Sequence, residues 1–220
     1  MKRIIIICEG QTEQEFSKTI LSPFFAPLGI YLSAPIIKSS QGGIVPWPRL
    51  KRQIEIHLKA EQDAYVTTLI DYYGIRDDHN FPYWEESKCE PQVQERVAKV
   101  EKGMLEAVGQ LFSSRFLPYI QLHEFEGLLF SNGDVFERVI PEEDLVNKEE
   151  LVQTLAEFDN PEMINTSRET SPSHRLERII NGYDKIVYGN YLAEGIGLNR
   201  IRERCPRFNE WIERMMKIGT

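Results

Sequence analysis

The chain has 220 residues, 41% hydrophobic and 27% charged, a balance that excludes a disordered or low-complexity polymer and fits one domain, or one domain with an appendage. Its 26 Lys and Arg stand against 34 Asp and Glu, a net charge of −8, which excludes holding nucleic acid by bulk positive charge but not an acidic site that takes up cations first. Three scattered cysteines, Cys8, Cys89 and Cys205, form neither a disulfide framework nor a zinc knuckle, and no apolar stretch approaches the ~20 residues needed to span a bilayer. A soluble cytoplasmic protein without a membrane partner is expected.

Ile4 to Cys8 is an unbroken apolar run, the mark of a strand covered on both faces, as in a parallel sheet. It is too short for a signal peptide and Glu9 ends it at once. Thr12 with Glu15 three residues later reads as a capping box, and Phe16, Ile20, Leu21, Phe24 and Phe25 follow at helical spacing. Tyr31 to Ile37 is a second strand interrupted by Pro35, and residues 39–43 are a loop by composition. Residues 47–61 form a helix with Leu50, Ile54 and Leu58 on one stripe, and Ala64 to Ile70 a third strand that ends in Asp71. Residues 72–90 read as irregular, 93–112 as a long amphipathic helix and 116–122 as a fourth strand before His123. From about residue 134 only helices follow, at 148–158, 172–181, 197–204 and 206–217, with no internal repeat. The fold class is therefore α/β: a mostly parallel sheet of about four strands over residues 1–133, with a helical extension over 134–220 packed on the same core.

In open parallel sheets ligands bind at the carboxyl ends of the strands. Three of the predicted strands end in acid: Glu9 with Glu13 one helical turn on, Asp71, and Glu124 with Glu126. Taken singly, each has an ordinary explanation, such as Glu13 in a first turn favoured by the helix dipole or Asp71 capping a turn. Three strand-end placements tip the balance toward a cation site. Converging carboxylates repel, a divalent ion removes that repulsion, and oxygen ligands without a Cys/His cluster suit Mg²⁺ or Mn²⁺. Glu124 and Glu126 lie two apart, so one of them is expected to enter the site. No GxGxxG, P-loop or GxSxG pattern occurs, which removes dinucleotide, P-loop and serine-hydrolase chemistry. His123 adjoins the acids, and a local hydrogen bond is its favoured role. Ser171 or Ser173 reads as a helix cap, and Pro206 as the first residue of the last helix, with Phe208 and Trp211 as core anchors.

The segments CEGQTEQEF, TLIDYYGI, YIQLHEFEGLLF, TSPSHRLERIINGYDKIVYG and RERCPRFNEWI together resemble a bacterial family of unknown function with a Toprim-like (topoisomerase–primase) domain, over residues 3 to about 214. The resemblance implies a Rossmann-like sheet with a Glu after the first strand and an Asp-x-Asp after a later one, binding Mg²⁺ for chemistry at phosphodiesters. Glu9 matches the Glu and Asp71 the first Asp; the second is replaced in Asp71-Tyr72-Tyr73, which tells against topoisomerase or primase activity. The spacing of Glu9 and Glu13 is closer to Toprim nucleases of OLD (overcoming lysogenization defect) type. Those add a later acid, matched by Glu124 or Glu126, and a late Lys, matched by Lys185, with Arg175 a second candidate for the substrate phosphate. The resemblance implies a metal-dependent nuclease, with DNA the expected polymer, coupled to a separately encoded ATPase in defence or repair. A non-catalytic regulatory module that binds such an ATPase is the alternative, and a homodimer stays open.

Overall fold

The computed structural model describes residues 2–38, 43–165 and 167–219. The loop reading of residues 39–42 lies outside them.

Strand β1 (Lys2–Cys8) explains its own apolar run. Ile4, Ile6 and Cys8 point into one core while Ile5 and Ile7 point into another, so neither face meets water. A helix α1 (Gln11–Phe16) continues through a π turn, Ser17–Leu21, into α2 (Ser22–Phe25). The capping box falls two residues earlier than expected. The Gly10 N–H donates to Glu13 Oε2 at 2.7 Å, so Glu13 rather than Glu15 reaches back over the helix start. Strand β2 (Ile30–Ser33) follows; Pro35 ends it, and only a bridge between Ile36 and Cys8 carries the pairing on. Then come α3 (Trp47–Ala60) and β3 (Ala64–Asp71).

Residues 72–90 are less irregular than expected, with a 3₁₀ turn at Asp77–His79 and α4 (Trp84–Ser87). The long helix is α5 (Val93–Val108), separated from α6 (Gln110–Ser113) by Gly109 at φ +86°. The fourth strand is split into β4 (Phe116–Leu117) and β5 (Ile120–Gln121). Pro118 has no N–H for the ladder. The buried hydroxyls of Thr67 and Thr68 bridge the gap by donating to Leu117 O and Tyr119 O at 2.5 and 2.7 Å. The sheet is parallel throughout, in the order β2-β1-β3-β4, with β5 pairing further along β3.

A 3₁₀ segment, Phe125–Ser131, leads to α7 (Asp134–Val139), α8 (Lys148–Glu157), α9 (Pro172–Ile179), α10 (Val187–Ile196), α11 (Leu198–Arg204) and α12 (Pro206–Gly219). The first of these segments, α7 and α10 carried no sequence expectation. Phe125–Ser131 is buried all round and has no polar face to mark a period. Helix α10 contains Gly189 and Gly195, weak helix formers that are used here for close packing: a Cβ on Gly195 would lie 2.6 Å from Val135 Cγ1.

Helices α3 and α5 cover one face of the sheet. The other face shares a single cluster with α1, α2 and the helices after residue 134. Trp211 of α12 lies directly on the sheet, stacked on Tyr119 at 4.5 Å and donating to Thr67 Oγ1 at 2.9 Å.

Candidate functional site: acids at the carboxyl edge of the sheet

Parallel pairing brings the ends of β1, β3 and β5 to one edge. Cys8 pairs with Leu69 and Asp71 with Gln121, so the chain leaves all three strands side by side. The Glu9 side chain then turns onto β3, where Oε2 accepts the Asp71 N–H at 2.9 Å. Asp71 repeats the pattern one strand over, with Oδ1 accepting the Phe125 N–H at 3.0 Å. Gly74 lies close to Glu9 Oε1: a Cβ on it would come within 3.4 Å of that oxygen and 3.3 Å of Ile44 Cγ2.

Beyond β5, His123 adopts φ +57°, an uncommon conformation for a residue with a side chain. Its carbonyl accepts the Tyr73 N–H and its Nδ1 lies 3.3 Å from Asn165 Nδ2, the local role expected of it. This left-handed residue swings the chain so that Glu124 and Glu126 both turn inward. Glu124 Oε2 accepts the Ser173 N–H at 2.9 Å, in the first turn of α9. Glu126 Oε1 lies 3.0 Å from Lys185 Nζ, which remains half exposed.

The cluster is electrostatically crowded. Burial, then repulsion from Glu9, Glu13, Glu126 and Glu124, holds the Asp71 carboxyl well above its usual range. Burial is also the main reason Glu9 rises to about 7, with Glu13 and Glu126 adding to it against the Asp71 N–H. Glu13 and Glu126 are raised as well, again chiefly by burial. Burial would lower Lys185, but Glu126, Glu124 and Asp71 outweigh it and hold the ammonium above its ordinary value. Lys185 is thus the cation of the acidic cluster.

The structure brings together Glu9, Glu13, Asp71, Glu124, Glu126 and Lys185. Both late acids approach, where the sequence led to the expectation of one. Arg175 stands elsewhere: it donates to Thr170 O and Thr154 Oγ1 and lies over the Phe158 ring at 5.6 Å, tying α9 to α8 and the segment before it. Ser171 is the N-cap position of α9, yet its hydroxyl turns to His174 Nδ1 at 2.9 Å rather than capping. One neighbour escaped sequence reasoning. The Tyr183 hydroxyl is buried without a hydrogen-bond partner among the described residues, and after burial it is Glu126 and Glu124 that push its pKa well above normal. Two positions before Lys185, it had no signal beyond proximity in sequence.

Among the described residues, no three acid, imidazole or thiol groups stand close enough to form a ready metal cage. Glu9, Asp71 and Glu124 each commit one oxygen to a backbone N–H and leave the other without a partner among the described residues. The donor set is all oxygen, as a hard dication requires.

Fold and site define an α/β protein with a parallel sheet and a carboxylate cluster, one lysine within it, at the carboxyl ends of its central strands. The chain belongs to the family of the domain of unknown function DUF4276, which matches residues 8–216. Comparison with curated proteins and with solved structures returns no match. Among the described residues no helix is long and apolar enough to cross a membrane.

Proposed function

We propose that this protein is a Mg²⁺- or Mn²⁺-dependent nuclease of Toprim type that cleaves phosphodiester bonds, with DNA as the expected substrate. The observation that carries the reading is the cluster itself: five carboxylates and one lysine at a strand edge, with four of the acids raised in pKa, chiefly by burial and then by one another's charge. A stability-optimised fold would not keep such a cluster, and perturbed acids in a cleft point to a functional site.

Glu9 and Asp71, with Glu124 or Glu126, would hold the ion, and Glu13 would hold or bridge a second. Such an ion supplies a Lewis acid for the phosphoryl oxygen and an ionised water at neutral pH. The chain's own part is positioning. Backbone N–H groups of Asp71, Phe125 and Ser173 fix one oxygen each of Glu9, Asp71 and Glu124, so the acids are aimed before substrate arrives. Lys185, half exposed on Glu126, would exchange that carboxylate for a scissile phosphate and offset its growing charge. By analogy with OLD-type nucleases, a separately encoded ATPase would couple the activity to defence or repair.

The test is nicking of supercoiled plasmid with Mn²⁺ or Mg²⁺ by wild type, Glu9→Ala and Asp71→Ala. Metal-dependent nicking lost in both variants supports the reading. A second reading, a non-catalytic module that binds an ATPase, is favoured by Tyr73 standing where the second Asp of the Toprim pair is expected. Absence of both cleavage and Mn²⁺-dependent thermal stabilisation selects it.

A further inference from the structure

The acids occupy one side of the carboxyl edge, and a groove of opposite sign lies beside them. Lys38, Arg49, Arg52, Gln53 and Ile56 line a groove of about 470 Å³. Arg49, Arg52 and Ile56 follow one another at i, i+3 and i+7 along the exposed face of α3. Gln53, itself buried, fixes the chain that carries Lys38: its Oε1 accepts the Lys38 N–H at 2.9 Å and its Nε2 donates to Ile36 O at 3.2 Å. This clamp sets Lys38 beside the two arginines.

None of the three cations has an ion pair or a side-chain hydrogen bond among the described residues. Several other surface cations are matched, as Lys88 is by Asp77 and Glu85 and Arg178 by Glu150. Even on α3, Glu55 is taken by Lys51 and Lys59. In a chain of net charge −8, three cations that line one groove without an ion pair among the described residues mark a place for an external anion. Burial, and then the Lys38 charge, hold His57 below its usual value.

The groove connects to the acids through the backbone. The Ile37 N–H donates to Cys8 O at 3.0 Å and Ile36 bridges Cys8, so Lys38 lies just past the strand that delivers Glu9. A Cβ on Gly43 would stand 3.9 Å from Glu9 Oε1. Extended, linear polyanions are what such a row can follow into a site; a compact anion would need converging donors, and an exposed row of separate charges does not provide them.

We infer that the Lys38–Arg49–Arg52 groove is the track for the phosphate backbone of the nucleic-acid substrate, leading one strand to the acidic edge. The inference rests on the phosphodiester reading above and deepens it. It also resolves the conflict between an acidic chain and a polyanionic substrate, since binding is delegated to one local strip.

The test measures binding apart from cleavage. Fluorescence anisotropy of labelled single-stranded and duplex oligonucleotides is followed in EDTA across a salt series, with full-length wild type, the triple variant K38Q/R49Q/R52Q, and K88Q/R178Q as a control for paired surface cations. All of these side chains are exposed or largely so, and circular dichroism checks the fold. The triple variant is expected to bind roughly tenfold or more weakly at low salt, with the slope of log K against log salt reduced by about 2. The K88Q/R178Q control should keep the wild-type slope. An unchanged slope in the triple variant, or no salt-dependent binding by wild type, overturns the track. So does a wild-type slope of about 1 with equal competition by inorganic phosphate, the signature of a single-anion site. Binding that depends on the groove without any metal-dependent cleavage leaves the track standing and overturns the hydrolase reading alone.

Discussion

Replacing Glu9 by Gln should stabilise the metal-free protein at neutral pH. The carboxyl is raised from 4.5 to about 7, by burial first and then by Glu13 and Glu126. Between those values the folded state binds more protons than the unfolded one, so the wild type loses stability as pH rises from about 4.5 through about 7. At about 1.4 kcal/mol for each pH unit, the displacement amounts to about 3 kcal/mol once the group is fully ionised. Gln keeps an oxygen to accept the Asp71 N–H and carries no charge, so it escapes that loss. For a domain of this length the difference corresponds to a melting temperature higher by roughly 6–12 °C above pH 8 and to little difference near pH 5. Differential scanning calorimetry in EDTA at several pH values reads both. A Glu9→Gln advantage that does not grow with pH, or a variant less stable than wild type at pH 8, would refute the electrostatic account of the cluster. Added Mn²⁺ should stabilise the wild type and act less on Glu9→Gln.

Three further outcomes follow from particular contacts. Tyr183→Phe removes a buried hydroxyl without a partner among the described residues, so it should stabilise by about 1 kcal/mol in urea denaturation rather than destabilise. Arg207→Ala strips Glu101 of its ion-pair partner and Tyr119 of the guanidinium over its ring, and should cost about 3 kcal/mol. Burial already raises Glu101, so the loss should deepen as pH rises from 5 to 8 and shrink below, read by the same denaturation across pH. Gly103→Ala would place a Cβ 2.8 Å from Pro82 Cβ and 2.9 Å from Pro82 O, so it should destabilise by about 1–3 kcal/mol, and a thermal melt unchanged from wild type would deny that contact.

Local signals in the sequence determined the elements that obey a short period. The β1 run required two covered faces because its residues alternate between them, and Leu50, Ile54 and Leu58 marked the buried stripe of α3. Strand ends in a parallel sheet must share an edge, so Glu9, Asp71 and the Glu124–Glu126 segment could be placed together from the sequence, and the resemblance added Lys185. What lay beyond reach depends on partners distant in the chain. Arg175 and Lys185 are both cations in the helical extension; only the packing of α9 on α8 sends the first to Thr154 and Phe158 while the second meets Glu126. Nothing near Glu162 announces that its carboxylate accepts the Arg207 and Phe208 N–H groups and so caps α12 from another segment. The split between β4 and β5 required Thr67 and Thr68 to stand opposite Pro118, and the glycines of α10 require Thr12 and Val135 as close neighbours. Periodicity is a property of neighbouring residues and survives in the sequence. Which charge meets which is set by the three-dimensional juxtaposition of segments tens of residues apart, and here the tertiary fold alone decided it.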